Sequence, residues 1–480
     1  MGNANAPTVT NFGGNVVFTP ARHYVPRNEK EVLAILDKHA RGKVRVLGAR
    51  HSWSEALVTE DALVDMRRFR HVRIERDADG TAWATIGGGC TLKRALALLN
   101  RADLTLPALG LITEQTIAGA ISTGTHGSGR SSISHYIAEV RVAAYDVAGR
   151  ARIYVWSAGP ELRAARCALG CMGVILSVKI CCVPQYLIEE SVRRCERLDD
   201  VLAGEAEHPL QQFYLAPHAW VYYVQQRRAA PAPSRRSWYA GVYRLYWFLI
   251  IDLALHWTIK IFAAWLSSRR LVHFLFRFLL PLLLWKPRGL RERSDAALIM
   301  EHELFRHLEI EIFVPGPALR RAADFVRQVL EVFDGKASVD PAWAETLRKH
   351  DLLSRLLAER GVFTFHYPIT FRRVLPDDTL ISMTAQASEP WYAVSFITYV
   401  EPRDAFYRLA RFLAESMTTL FGARLHWGKY FPLDQERIAG GYPGLAEFRE
   451  ICRDTDPRGV FRNRYVERVL GYNAPEGVQS

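Results

Sequence analysis

The feature that most restricts this chain is a segment rich in glycine and hydroxyl residues at positions 109–132, LGLITEQTIAGAISTGTHGSGRSS. Glycine lets a backbone approach a ligand closely, and neighbouring hydroxyls add hydrogen-bond donors. The spacing matches neither the Walker loop, which needs a lysine, nor the GxGxxG turn. A ligand-binding loop and a structural turn both remain open. The candidate ligand contacts are Gly110, Gly119, Ser122, Thr123, Gly124, Thr125, His126 and Gly127.

A second candidate motif lies upstream at residues 44–66, VRVLGARHSWSEALVTEDALVDM. A β-rich run there meets a turn that begins at glycine, and backbone N–H groups in such a turn can converge on the oxygens of a pyrophosphate. His51 by itself is more typical of a packed or capping histidine. The candidate contacts in this turn are Gly48, Ala49, Arg50, His51 and Ser52.

The order of elements predicts an α+β protein with more than one domain. Short β-rich runs separated by Gly-rich turns and a few helices fill the part up to Pro184, and longer amphipathic helices alternate with strands after it. We predict a cofactor domain at 11–185, a substrate or cap domain at 186–440, and a closing segment at 441–471.

The composition indicates the cellular compartment and the kinds of partner to expect for this chain. Its 480 residues include seven cysteines that show no metal-ligand spacing and have an odd number, which favours a reducing compartment and no metal. The first residues lack the basic and apolar regions of a secretory signal. The net charge of +12 suits an anionic membrane, an anionic cofactor or nucleic acid and does not choose among them. The basic residues around one apolar region favour a membrane surface, and we expect no nucleic acid partner.

Residues 238–285 are the compositional outlier, with long apolar and aromatic runs flanked by arginine and lysine. On a helix, Asp252, His256 and Lys260 fall on one side and leave a broad apolar face. This pattern favours a helix in the membrane interface, on the cytoplasmic side. A true span places Asp252 and Lys260 in hydrocarbon at a cost, and Pro281 interrupts the second run. A buried helical pair that covers the core or an oligomer interface is the remaining alternative.

Together with GCMGVILSVKICCVP at 170–184, the two motifs resemble the vanillyl-alcohol-oxidase type of FAD-linked oxidase, in its aldonolactone oxidase branch of gulonolactone, arabinonolactone and alditol oxidases. The resemblance implies a two-lobed FAD-binding domain, with Gly173, Val174 and Ile175 as further FAD contacts. It also implies a covalent bond from His51 to the flavin 8α carbon. Similar segments at 422–432, GARLHWGKYFP, and 455–471 extend it from Asn11 to Gly471.

The same resemblance suggests residues for the chemistry. Oxidising a C–OH group sends a hydride to flavin N5 and releases a proton, so a cation that favours the alkoxide is useful. Lys429 is the candidate cation, while His426 on an extended strand need not share its side. The family's Glu-x-Arg pair corresponds to Thr370 and Arg372, so Glu is replaced by Thr.

Three other residues are candidates for the missing acid or base function. Glu309 and Glu311 lie on one face of a predicted strand, where a solvated edge is the commoner interpretation, and His366 is an outside candidate.

Three functions remain open at this stage. The first is an FAD oxidase of a sugar lactone or polyol that reduces O2 to H2O2, since the family resemblance aligns Gly110 with a small residue that admits oxygen. The second is a membrane-associated FAD dehydrogenase or oxidase of a hydrophobic or lipid-linked alcohol, which Thr370 and the apolar segment would suit. The third is a non-catalytic flavin-binding membrane scaffold.

Overall fold

The computed structural model describes residues 7–300, 304–401 and 403–472. Its first half contains three sheets: a β1–β2 hairpin, a parallel sheet in the order β3-β5-β4, and an antiparallel sheet in the order β10-β9-β11-β7-β6 with β8 beside β11. The strands are β1 (Val9–Thr10), β2 (Val17–Phe18), β3 (Arg22–Tyr24), β4 (Val44–Leu47), β5 (Ala62–Asp65), β6 (Val72–Arg76), β7 (Ala82–Gly87), β8 (Leu104–Thr105), β9 (Ile137–Tyr145), β10 (Ala151–Trp156) and β11 (Val174–Pro184).

The second half is built on one antiparallel sheet of eight strands, in the order β15-β12-β14-β13-β17-β18-β16-β19. Its strands are β12 (Leu187–Cys195), β13 (Gln212–Ala216), β14 (Val221–Ala229), β15 (Leu290–Arg293), β16 (His307–Pro315), β17 (Ile369–Val374), β18 (Trp391–Tyr399) and β19 (Arg424–Leu425). The predicted α+β class is therefore confirmed. The domain limits 11–185, 186–440 and 441–471 stay predictions.

Helices of the first half begin where the sequence provides capping side chains. Asn28, Thr91 and Thr116 each accept a hydrogen bond from a backbone N–H of the first turn, which satisfies a donor that the helix itself cannot. The helices of this half are Glu29–Lys38, Glu55–Leu57, Leu92–Asn100, Ile117–Ser122, Ile133–Tyr136 and Gly159–Ala165.

Helices of the second half cover the eight-stranded sheet. The helices Leu319–Phe333 and Arg403–Phe421 contact β16 on one face. The remaining helices outside the apolar segment are Leu198–Leu202, Ser294–Ala297, Gly316–Ala318, Pro341–Lys349, Leu353–Ala358, Gln435–Ile438, Leu445–Thr455 and Arg464–Leu470.

The apolar segment forms two helices, Ala240–Trp265 and 269–283, which we call the apolar hairpin. The first includes π-helical turns at Trp247–Leu255 and Lys260–Trp265, and the second at Leu275–Leu279. Among the described residues, Ala240–Trp265 alone is long and apolar enough to cross a membrane by length and composition. Many of the large side chains of the hairpin are exposed in this chain, so the pair is not fully buried against the core, and the alternative of an oligomer interface stays a prediction.

The chain end returns to the first half. Val44 N donates to Val460 O at 2.8 Å, and the Arg45 guanidinium donates to Phe461 O. Asp456 holds this return by accepting the backbone N–H groups of Val460 and Phe461 at 2.7 and 2.8 Å. These contacts bring the last helices against β4 and the turn that follows it.

Candidate active site

A narrow cleft of about 1050 Å³ runs between the turn after β4, the helix Ile117–Ser122 and the start of β11. Arg45, Arg50 and Lys429 line it, and the described residues of its wall include no aspartate or glutamate. Glycines, hydroxyls and three cations around an elongated cleft suit a ligand that carries phosphates. The predicted contacts in its wall are Gly48, Ala49, Arg50, His51, Ser52, Gly119, Ser122, Thr123, Gly173 and Ile175.

Glycine is required at positions where the walls of this cleft meet. A Cβ at Gly48 would lie 2.5 Å from Thr116 Oγ1, and one at Gly88 would lie 2.2 Å from Ile175 O. Arg50 has φ of +64°, a strained value for a residue with a side chain, directly before His51. The turn is therefore held in one shape that directs His51 into the cleft, and these residues fit a dinucleotide such as FAD.

His51 is largely buried beside Phe12, with ring centroids 4.9 Å apart in a stacked arrangement. Burial lowers the pKa of His51 to about 4, and the nearby Lys429 and Arg50 act in the same direction. The imidazole is thus neutral at pH 7, which leaves a nitrogen lone pair able to form a bond to carbon.

Lys429 and His426 reach the same cleft because residues 426–429 form a turn and not the extended strand that we expected. Lys429 N donates to His426 O at 3.1 Å, which closes the turn, and both side chains line the cleft. Lys429 Nζ lies 4.2 Å from the centroid of the Trp53 ring and pairs with Glu309. Burial lowers the pKa of His426 to about 3, so that ring is neutral.

Glu309 and Glu311 are buried, so the solvated edge expected for this strand is wrong. Burial opposes ionisation of both, but neighbouring side chains hold the pKa of each carboxyl below its ordinary value. The main cause is the Lys429 ammonium for Glu309 and the nearby His126 ring for Glu311. Two backbone hydrogen bonds hold the segment 426–430 against β16. His426 N donates to Glu311 O and Tyr430 N donates to Glu309 O, at 3.0 Å each.

A larger cavity of about 2450 Å³ lies between the apolar hairpin and the eight-stranded sheet. Its floor is formed by alternate residues of β15, β12, β14, β13 and β17, which share one face of the sheet. Thr370 and Arg372 of β17 are part of this floor, while Tyr243, Phe248, Ile251 and other hairpin residues form the roof. Four strand spacings of about 4.8 Å separate β15 from β17, roughly 19 Å in all.

The hairpin is apolar on both of its faces. Asp252 and His256, which the pattern placed on its polar side, line the cavity together with apolar side chains such as Ile251 and Leu255, and further apolar side chains face outward. Leu249, Phe278 and Leu282 are 44%, 60% and 82% exposed. Such a patch on a soluble surface indicates an interaction with something apolar.

Several predicted contacts lie outside the cleft wall. Val174 points away because strand residues alternate, and Gly124 and Thr125 lie behind the wall. Gly127 contacts the backbone of Leu109, and His126 pairs with Glu311. A Cβ at Gly110 would lie 2.6 Å from Thr125 Cγ2. The role of Gly110 in oxygen access stays a prediction.

His366 is buried, and its Nε2 lies within hydrogen-bond distance of Thr398 Oγ1, at 3.1 Å. It lines neither of the two cavities.

The sequence did not single out Ser395 or His307. Ser395 lies between Thr370 and Glu311 across the sheet, and His307 O accepts a hydrogen bond from Trp53 Nε1 at 2.6 Å. The one signal available for Ser395 was the alternation of residues along β18. Using this signal requires the strand register, which sequence does not provide.

Two family models match this chain. Residues 20–146 match the FAD binding domain model, and residues 178–469 match the D-arabinono-1,4-lactone oxidase model. A long-chain alcohol oxidase from an uncultured marine euryarchaeote is 46% identical over 96% of each chain. The L-gulonolactone oxidase of Mus musculus is 27% identical over 94% of this chain and 96% of its own.

More distant proteins share the architecture. The alditol oxidase of a Streptomyces species is 23% identical over 96% of this chain and 99% of its own. The crystal structure of cholesterol oxidase from B. sterolicum superposes with a TM-score of 0.73 at 14% identity, covering 96% of each chain. That superposition supports the fold alone.

Proposed function

Because the chain belongs to the D-arabinono-1,4-lactone oxidase family of FAD-dependent oxidoreductases acting on CH–OH groups, we propose that it oxidises the hydroxyl group of a long-chain alcohol. The overall reaction is R–CH2OH + O2 → R–CHO + H2O2. Formation of aldehyde and H2O2 in equal amounts from 1-hexadecanol tests this function. Reduction of a dye with no peroxide would instead support a dehydrogenase.

The observation that carries the proposal is the position of the polar side chains between two cavities. Lys429 and His426 line the FAD cleft, while Thr370 and Arg372 line the apolar cavity. The residues of the cleft would hold FAD, which when bound would supply the hydride acceptor. Arg372 and Lys429 supply positive charge that favours the alkoxide, and Thr370 offers a hydroxyl as hydrogen-bond partner.

The cavity supports an apolar substrate over a sugar. Its length of roughly 19 Å exceeds the roughly 15 Å occupied by one lipid tail in half of a bilayer hydrocarbon core. A lactone or polyol carries a hydroxyl on nearly every carbon, and the apolar roof would leave many of these without partners. A non-catalytic scaffold is not favoured, since Lys429 and Arg372 are both present at the site.

We expect FAD to be attached covalently through His51. Its neutral imidazole would be able to form the bond to the flavin 8α carbon, and the two protons and two electrons that this reaction releases would reduce O2 to H2O2. Denatured wild-type protein should keep its flavin fluorescence on a gel, and His51→Ala should release all flavin. His39→Ala, a histidine outside the cleft, should behave as wild type. Free FAD in the supernatant of denatured wild-type protein would contradict the covalent bond.

The outward apolar face of the hairpin supports attachment to an anionic membrane surface. Exposed Arg235, Arg270, Lys286 and Arg288 flank it, and each basic residue near such a surface contributes about 1 kcal/mol. Leu249→Glu with Phe278→Glu should abolish sedimentation with phosphatidylglycerol vesicles. Val147→Glu, at an apolar residue 91% exposed elsewhere, is the control. Undiminished sedimentation of the double variant would contradict attachment through the hairpin.

A further inference from the structure

Glu311 is a buried carboxylate that pairs with Arg372 of the alcohol cavity and lies 3.9 Å from His426 of the FAD cleft without lining either. Its side chain is 2% exposed. Oε1 accepts hydrogen bonds from Ser395 Oγ at 2.6 Å and from Arg372 Nη1 at 3.3 Å. Oε2 lies 3.4 Å from His126 Nε2. One carboxylate therefore joins the floor of the alcohol cavity to the loop behind the FAD cleft.

His126 is the partner of Glu311 on the side of the FAD cleft. Its Nδ1 lies 3.0 Å from Gly127 O, and its Nε2 lies 3.4 Å from Glu311 Oε2. Glu311 is thus placed between the Arg372 guanidinium and the His126 ring, and burial strengthens both interactions.

The strand register explains how Glu311 reaches Arg372. Thr370 pairs with Ser395, and Ser395 pairs with Glu311, so the three side chains form a row across β17, β18 and β16 on one face. Thr370 has no charge with which to balance Arg372. The other carboxylate on this face of β16, Glu309, pairs with Lys429 instead.

We propose that Glu311 is the positioning carboxylate of this site, fixing Arg372 against the alcohol cavity and pairing with His126 behind the FAD cleft. It acts through these residues and does not contact the alcohol. The absence of a carboxylate at position 370 leaves space and an uncharged hydroxyl at the reacting end of the cavity. The role of Glu311 depends on the proposed function in one respect only, which is that the substrate is a long-chain alcohol.

Glu311→Gln tests the proposal in the FAD-loaded enzyme with any oxidised alcohol. We expect kcat to fall roughly 10- to 100-fold, as when partners that orient reacting groups are lost, with KM within about 2-fold. Because the change removes a negative charge, sulfite, an anion that binds at the flavin, should bind about 10-fold tighter. Sulfite binding is measured without substrate, so it is independent of the proposed function.

Two further variants separate positioning from folding. Thr370→Glu added to Glu311→Gln returns a carboxylate to the row beside Arg372, and it should restore part of kcat and weaken sulfite binding again. Glu205→Gln is the matched control, since Glu205 lies 3.8 Å from Arg373, the next residue, which faces the opposite side of the sheet. If Glu311→Gln fails to fold, Glu311→Met, which also removes the charge and keeps most of the side-chain volume, provides the same measurements.

Unchanged sulfite affinity, or a kcat within 2-fold of wild type in a folded Glu311 variant, would overturn the proposal. Failure of Thr370→Glu to recover any activity would assign Glu311 to the fold alone. Failure of every alcohol as substrate would contradict the proposed function, and the sulfite result would still decide the role of Glu311.

Discussion

Replacing Lys429 by methionine should lower kcat by about 100- to 1000-fold, the loss expected when one preorganised charge at a reacting oxygen is removed. Lys429 lines the FAD cleft, lies over the Trp53 ring and pairs with buried Glu309. Methionine preserves most of the side-chain volume but leaves the Glu309 carboxylate without its main cation. The pKa of Glu309 should therefore rise, and the site loses the charge that favours the alkoxide.

The rate of flavin reduction without oxygen measures this loss directly. Lys429→Arg keeps the charge and should retain part of the rate, whereas Lys93→Met, at an exposed lysine paired with Glu114, should have no effect. A Lys429→Met enzyme that reduces its flavin at the wild-type rate would exclude Lys429 from the chemistry.

Ala240→Phe should shorten the alcohol that the enzyme accepts. Ala240 lines the apolar cavity and packs against Tyr243 and against Leu290 of β15, four strands from Thr370. A phenyl ring there should exclude the last four or so methylenes of a long chain. Each buried methylene contributes about 0.8 kcal/mol, so kcat/KM for hexadecanol should fall about 100-fold.

Octanol, which need not reach Ala240, should be oxidised by this variant nearly as well as by wild type. Ala254→Phe adds the same ring on the exposed side of the hairpin and serves as the control. An equal loss for octanol and hexadecanol would mean that the chain does not extend toward β15. Retained fluorescence of the bound flavin confirms that each variant has folded.

The FAD cleft could be predicted from sequence because its contacts are local. Gly48 to Ser52 and Gly119 to Thr123 form two short segments, each compatible with a phosphate-binding backbone, and the family resemblance of the two together indicated FAD. The predicted family and the FAD cofactor are confirmed by the matched family models. The strained φ of Arg50 left no signal in the sequence.

The other half of the site depends on register and on distant contacts. Glu311, Ser395 and Thr370 come from three strands, and a slip of one residue in any of them would turn its side chain to the opposite face. The helical pattern of 238–285 placed Asp252 and His256 on one side of the helix, and both line the cavity. It could not indicate that apolar side chains line this cavity as well, or that the hairpin covers the sheet.

The proposed substrate is tested most directly by following flavin absorbance in the wild-type enzyme without oxygen. Hexadecanol, L-gulono-1,4-lactone and xylitol are compared at equal concentrations in detergent. We expect hexadecanol to bleach the flavin at least about 100-fold faster than either sugar, since four or more buried methylenes account for such a ratio. Faster bleaching by the lactone or by xylitol would contradict a long-chain alcohol as the substrate.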